Sequence, residues 1–234
     1  MSTDISLQTT TYQVGNKQWL LDEPDFKPNV TLDISKFSQS ESQLLTVDAT
    51  GGTFTATFKG QTTGAVAENA TASTLQTALE GLSTIGAGNV AVSGSAGGPY
   101  TIKFQGALAS TDVPLLTTDA SSLTGGASTA VVTTPTPAHY ANGYIPSGTA
   151  IGKVTSTGLF GPYDNTANDG REVLYGFTYA DVRAVRSNGS VASKVGTGAV
   201  VSGAVSVSKL PFQTGAGSLD SSGRADVPTI RFEA

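Results

Sequence analysis

Few residues in this 234-residue chain are of types that do chemistry, and the densest group of them is acidic. The segment YDNTANDG offers the oxygens of Asp164, Asn168 and Asp169 to a cation. A calcium loop of the common kind also needs a central glycine and a distal glutamate, and neither stands at the required spacing. Local Asx hydrogen bonds in a turn use the same residues without a metal. Two carboxylate pairs, Asp164 with Asp169 and Asp220 with Asp226, are of the type that can flank a glycosidic bond. Both lie in Gly/Asn/Ser-rich sequence, where solvated turn carboxylates are expected. His139 is the single imidazole, which excludes a multi-histidine zinc site. As a base it would need a nucleophile and an orienting acid from elsewhere, because TPTPAHYANGY holds no elbow motif and no acid. A linker or interface histidine is the simpler reading. The glycines of VAVSGSAGGPYTIKF precede the alternating Tyr100, Ile102 and Phe104, a strand pattern, so no helix N-terminus waits for a phosphate and a hairpin turn is predicted. No catalytic, cofactor or metal-binding residue is assigned, and an enzyme is not expected.

The elements that would position such residues follow from composition. Glycine is frequent at 28 residues and charged residues make up 13% of the chain, a mixture that favours strands and tight turns over long helices. Cysteine is absent, so there is neither a disulfide framework nor a thiolate site. The net charge of −5 gives no electrostatic reason for phosphate-backbone contact, and no direct nucleic-acid partner is expected. No window approaches the roughly 18 apolar residues of a membrane span, and the first residues lack a secretion leader, so a soluble protein without membrane contact is expected.

The chain changes character twice. Residues 1–47 are comparatively polar and contain Trp19, Phe26 and Phe37; residues 48–132 carry only two lysines and five acids; beyond Thr133 arginines return at 171, 183, 186, 224 and 231. The middle reads as an inserted domain with its own core. Phe54, Ala56 and Phe58 alternate with threonines as in a half-buried strand. Leu75, Ala78, Leu79 and Leu82 fall at i, i+3, i+4 and i+7, which predicts a helix capped by Thr71 or Asn69 and ended by Gly81 or Gly86.

In the last part, Pro146, Gly148, Gly158, Gly161, Pro162 and Gly170 punctuate short apolar runs, as where extended segments turn around a small sheet or barrel. VLYGFTYADV is a predicted strand with Arg171 and Glu172 before it. Arg171, Arg183 and Arg186 are either solvent-exposed or part of a protein contact. Trp19 is read as core or subunit contact, since an indole buries a large area at low conformational cost.

The segment ANGYIPSGTAIGKVTSTGLFGPYDNTANDGREVLYGF resembles the central region of the lambda-type head decoration, or capsid-stabilising, proteins of tailed bacteriophages. Tyr144, Pro146, Ser147 and Gly148 open the pattern, Leu159, Gly161, Pro162 and Tyr163 follow, and Asp169, Gly170 and Arg171 precede the strand to Gly176. KQWLLD and LDISKF fit the same reading. The resemblance implies a mainly β fold with minor α, a compact β-tulip-like decoration fold. It is built from residues 1–47 and 133–234 and carries an inserted small α+β or β-sandwich-like domain at 48–132. It implies a homotrimer at threefold positions of an expanded icosahedral head, bound to the major capsid protein on the outer surface of the virion, cementing the head after synthesis in the host cytoplasm. Trp19, Tyr144, Pro146, Phe160, Tyr163, Arg171, Arg183 and Arg186 are the expected trimer or capsid contacts.

Residues 1–14 are expected to be a flexible capsid-binding arm, because STDISLQTTTYQV is β-compatible but poor in apolar anchors, and a partner edge would satisfy its backbone. The middle resembles Gly/Thr-rich modules of phage structural and other surface-associated proteins, and is expected to face outward. The competing function is an adhesion module, with a glycan or host-surface protein as ligand of the inserted domain.

Overall fold

The computed structural model describes residues 17–111 and 113–234. The arm expected at 1–14 lies outside the described residues.

The first two strands, β1 (Leu20–Asp22) and β2 (Asn29–Asp33), flank a loop stiffened by Pro24 and Pro28. A 3-10 turn at Ile34–Lys36 follows, capped by Asp33, whose side chain accepts from the Ser35 amide. β3 (Ser42–Asp48) and β4 (Gly51–Phe58) then open a sandwich. In β4 the phenylalanines and Ala56 are buried while the threonines between them are only partly so, as the alternation predicts. Short strands β5 (Gln61–Thr62) and β6 (Val66–Ala67) lead to helix α1 (Ala72–Glu80). The α1 cap is Thr71, which accepts from the Thr74 amide at 3.2 Å, and Gly81 ends the helix. Leu75 and Leu79 point into the core; Leu82, past the helix end, is buried as well.

β7 (Val90–Gly94) and β8 (Tyr100–Phe104) form the antiparallel hairpin expected around the glycine run. The Gln76 side chain accepts from the Val92 amide at 3.1 Å, so α1 occupies part of the outer edge of β7. β9 (Thr117–Asp119), β10 (Leu123–Thr124) and β11 (Thr129–Thr136) complete this part. One sheet runs β11-β3-β8-β7; in the other, β5, β6, β9 and β10 all pair with β4. Between them lies a cluster drawn only from residues 45–130, in which Phe58 stacks on Phe104 at 5.4 Å. β3 and β11 straddle both compositional boundaries: strand pairing follows hydrogen bonds, and it starts at Ser42 and runs to Thr136 although the change in residue types comes later and earlier, respectively.

The remaining strands are β12 (Tyr144–Ile145), β13 (Ala150–Lys153), β14 (Phe160–Pro162), β15 (Leu174–Thr178), β16 (Val182–Arg183), β17 (Lys194–Val200), β18 (Gly203–Ser206) and β19 (Ile230–Glu233), with a one-and-a-half-turn helix α2 (Ser221–Asp226) before the last. Four of them close a small barrel with β2, in the order β13-β14-β2-β17-β15. Its one parallel pairing sets Phe160 beside Leu32. Adjacent barrel residues divide between two clusters: Ile151 and Ala199 enter one with Leu32 and Phe160, while Ala150 and Val200 enter the other with Trp19, Phe177 and Val205. The second cluster is where the three-stranded sheet β1-β18-β19 and α2 pack on the barrel. The protein is mainly β, with minor helix and a small closed barrel.

Candidate assembly surface

The Tyr144–Gly148 turn is held from three directions. Trp19 donates its Nε1–H to Ser147 Oγ at 3.2 Å, Asp181 Oδ1 accepts from the Ser147 amide at 2.7 Å, and the Pro146 carbonyl accepts from the hydroxyls of Thr149 and Thr178. Trp19 is 1% exposed and lies 5.9 Å from Phe177, ring to ring. The indole is therefore a core residue of this chain. Phe160, tilted against Tyr175 at 4.8 Å between ring centroids, and Tyr163 are buried too, and Pro146 is half-buried. These side chains shape the surface from beneath.

Arg171 is committed within the chain. Its Nε donates to both oxygens of Asp169 at 3.0 and 3.2 Å, and its Nη1 to the Pro162 carbonyl at 3.1 Å. Lys36 reaches the same carboxylate at 3.0 Å. Partial burial raises the Asp169 pKa, but the Lys36 and Arg171 hydrogen bonds outweigh it and hold the carboxyl below its usual range. Gly170 makes the turn possible: at φ +105° its backbone is in the left-handed region, and a Cβ there would sit 2.4 Å from the Lys153 carbonyl.

Tyr144 and Arg183 meet at the surface, and Arg186 is exposed three residues further on. β12 and β16 pair with Tyr144 opposite Arg183, and the Arg183 guanidinium lies 5.9 Å from the Tyr144 ring centroid. Arg183 Nε donates to the Val185 carbonyl at 2.9 Å. A tight turn follows, closed by Arg186 N–H to the Ser190 carbonyl and Gly189 N–H to the Arg186 carbonyl.

The acids of the 163–226 region serve the fold. Asp164 Oδ1 accepts from the amide and hydroxyl of Thr166, an Asx turn. Asp220 caps α2 by accepting from the Gly223 amide, and the same oxygen accepts from the Tyr163 hydroxyl at 2.8 Å; its other oxygen pairs with Asn165. Burial and this carboxylate raise the Tyr163 pKa. Asp226 Oδ2 accepts from the Leu174 amide at 2.8 Å. Tyr163, Asp164, Asn165 and Asp220, with Gln213 and others, line a cleft of about 460 Å³, but its carboxylates are occupied by a cap and a turn. Among the described residues, no group of three or more His, Cys, Asp or Glu side chains is placed to hold a metal, and no helix is long and apolar enough to cross a membrane.

Sequence reasoning left His139 between linker and interface; it is a buried clamp. Nδ1 accepts from the Ser38 amide and Nε2–H donates to the Ala216 carbonyl, both at 3.0 Å, which fixes the tautomer. Phe37 and Phe212 cross its ring edge-on at 5.4 and 5.2 Å. Desolvation lowers its pKa to about 4. Asp220 as a helix cap had a readable signal, an aspartate before Ser-Ser-Gly. The Ser147–Asp181 bond had none, because its partners are far apart in sequence.

No protein-family model matches the chain, and no curated protein matches it. Among solved structures, a chain from Mycobacterium phage Patience is similar over 68% of this chain, with 20% identity and a TM-score of 0.35. The similarity is weak and partial, and this chain spans 54% of the phage chain's length.

Proposed function

We propose that the chain is a structural virion protein. It binds as a trimer to the major capsid protein at threefold positions of an expanded icosahedral phage head and stabilises that head against internal DNA pressure. The observation that carries this reading is the residue pattern from Tyr144 to Phe177, whose segments supply three of the five barrel strands, β13, β14 and β15. Residues 1–47 and 133–234 form the attaching part, and residues 48–132 an outward-facing accessory part. Supporting this division, one hydrophobic cluster draws only on residues 45–130. Residues 1–14 bind the shell as an added strand. A symmetric trimer joins several weak attachments at one site, and each gains effective concentration once the first has formed.

The test uses DNA-filled expanded heads stripped of this protein. They should leak DNA under milder heat or chelator stress than decorated heads, and purified protein should restore resistance. Identical leakage curves with and without bound protein would falsify the cement role. Specific glycan retention without head binding would favour adhesion instead. Deleting residues 1–14 should weaken head binding and leave the oligomer intact.

A further inference from the structure

Two surface patches on this chain complement each other. The first is basic and partly apolar. Partners opposite each other in an antiparallel pair share a face, and so do residues two apart on a strand. Tyr144 opposite Arg183, Arg183 two before Val185, and Val185 bridged to Val191 therefore form one continuous outward face. The burial pattern agrees in alternation: Val182 and Ala184 are buried, Arg183 is exposed, Val185 is half-buried with its inner side on the core, and Val191 is 48% exposed. Arg186 stands exposed at the end of this face. Among the described residues neither Arg183 nor Arg186 forms an ion pair, in contrast to Arg171 and Arg231.

The second patch is acidic around one aromatic anchor. Phe26 is 71% exposed and Leu21 is 50% exposed. Asp22 and Asp25 are exposed beside them and form no ion pair among the described residues. The loop that presents Phe26 is set in advance: Pro24 and Pro28 restrict it, Lys27 Nζ donates to the Pro24 carbonyl at 2.7 Å, and the Ala199 amide donates to the Pro28 carbonyl. Glu23 is consumed within the loop by Tyr179 and Lys27. A large aromatic side chain held at the surface by a stiff loop loses little entropy on docking.

We propose that the Asp22–Phe26 loop of one copy docks on the Tyr144–Arg183–Val185–Val191 face of a second copy. Two unpaired carboxylates meet two unpaired guanidiniums, the pairing in which bidentate geometry is strongest, and Phe26 covers the apolar stripe between them. Aromatic and arginine residues are the types that dominate such contacts. The two patches are different surfaces, so the contact is head-to-tail, and it closes into a ring when the rotation between copies allows. This deepens the oligomer proposed above and rests on that reading for its copy number.

Sedimentation of the full chain over a concentration series tests the contact. Arg183→Glu with Arg186→Glu, and separately Asp22→Arg with Asp25→Arg, should each weaken assembly roughly tenfold or more. Phe26→Ala should weaken it as well, and moderate salt should weaken the wild type. All changes are at exposed positions, and unchanged urea midpoints would show that the fold is retained. The four-residue charge swap should recover assembly. A wild type that is monomeric up to about 1 mM, or a charge-reversed variant that assembles as tightly as wild type, overturns the proposal. So does loss in both reversed variants without recovery in the swap, because the patches then meet different partners. Head binding is read separately by co-sedimentation: an assembled wild type that ignores heads would sink the decoration role and leave this contact standing.

Discussion

Gly148 lies flat against the indole of Trp19, so close that a Cβ on the glycine would sit 2.9 Å from Cε2 and Nε1 of the ring. The glycine has φ +86°, which adds backbone strain to the clash for any other residue. Gly148→Ala should therefore cost about 3 kcal/mol, from roughly equal steric and conformational parts. Urea unfolding followed by the emission of Trp19, the single tryptophan, checks this; a loss below about 1 kcal/mol would mean that the turn relaxes freely.

His139 predicts an acid-sensitive fold. Its folded pKa of about 4 lies below the unfolded value of 6.5, so the unfolded chain binds the extra proton between those two pH values. Its contribution is complete above pH 6.5 and is lost as pH falls towards 4. The full loss is roughly 3 kcal/mol. Protonation would also turn Nδ1 from acceptor to donor against the Ser38 amide. Unfolding free energies of wild type and His139→Gln, measured at pH 7 and pH 4.5, should converge on the acid side. Parallel pH profiles would mean that another group carries the acid sensitivity.

Asp220 joins α2 to the barrel. Asp220→Ala removes the helix cap and leaves the buried Tyr163 hydroxyl without its acceptor, costing about 2–3 kcal/mol. Tyr163→Phe should cost less, because the cap survives. A double-mutant cycle should give a coupling of about 1 kcal/mol; strict additivity would place the Tyr163 hydroxyl on another partner.

Gln43 is fully buried at the base of the sandwich and ties three points together. Its Oε1 accepts from the Leu116 amide at 2.9 Å, and its Nε2 donates to Glu41 at 2.8 Å and to the Pro114 carbonyl at 3.2 Å. Glu41 in turn accepts from the Val113 amide. Gln43→Ala should cost about 3 kcal/mol, since buried donors and acceptors are left unmatched. Hydrogen exchange at the Leu116 and Val113 amides should rise above that of the barrel strands; uniform protection would contradict a local role.

What was legible in the sequence had short-range causes. The Thr71 cap, the Leu75 and Leu79 stripe and the alternation of Phe54, Ala56 and Phe58 each reflect rules acting over a few residues, and each corresponds to an observed element. Barrel closure was not legible in detail, because the pairing of Phe160 with Leu32 joins strands separated by the whole sandwich. Polar partners divide in the same way. The Asp220 cap on the Gly223 amide is local and readable, whereas the backbone partners of Asp226 and His139 are brought near only by folding, which no local pattern records. Of the expected contact residues, Tyr144 and Arg183 meet at the surface, whereas Trp19 and Tyr163 are interior.

The pairing of Ser42 with Thr136 has a consequence for what the protein can carry. Neighbouring strands stand about 4.8 Å apart, so the chain departs for the sandwich and comes back through a gap one strand spacing wide. Any polypeptide whose two ends lie that close presents the same boundary condition to the barrel. The fold therefore contains a natural socket. Any sequence whose two ends meet one strand spacing apart satisfies that boundary condition in place of the sandwich, and leaves the barrel pairings as they are.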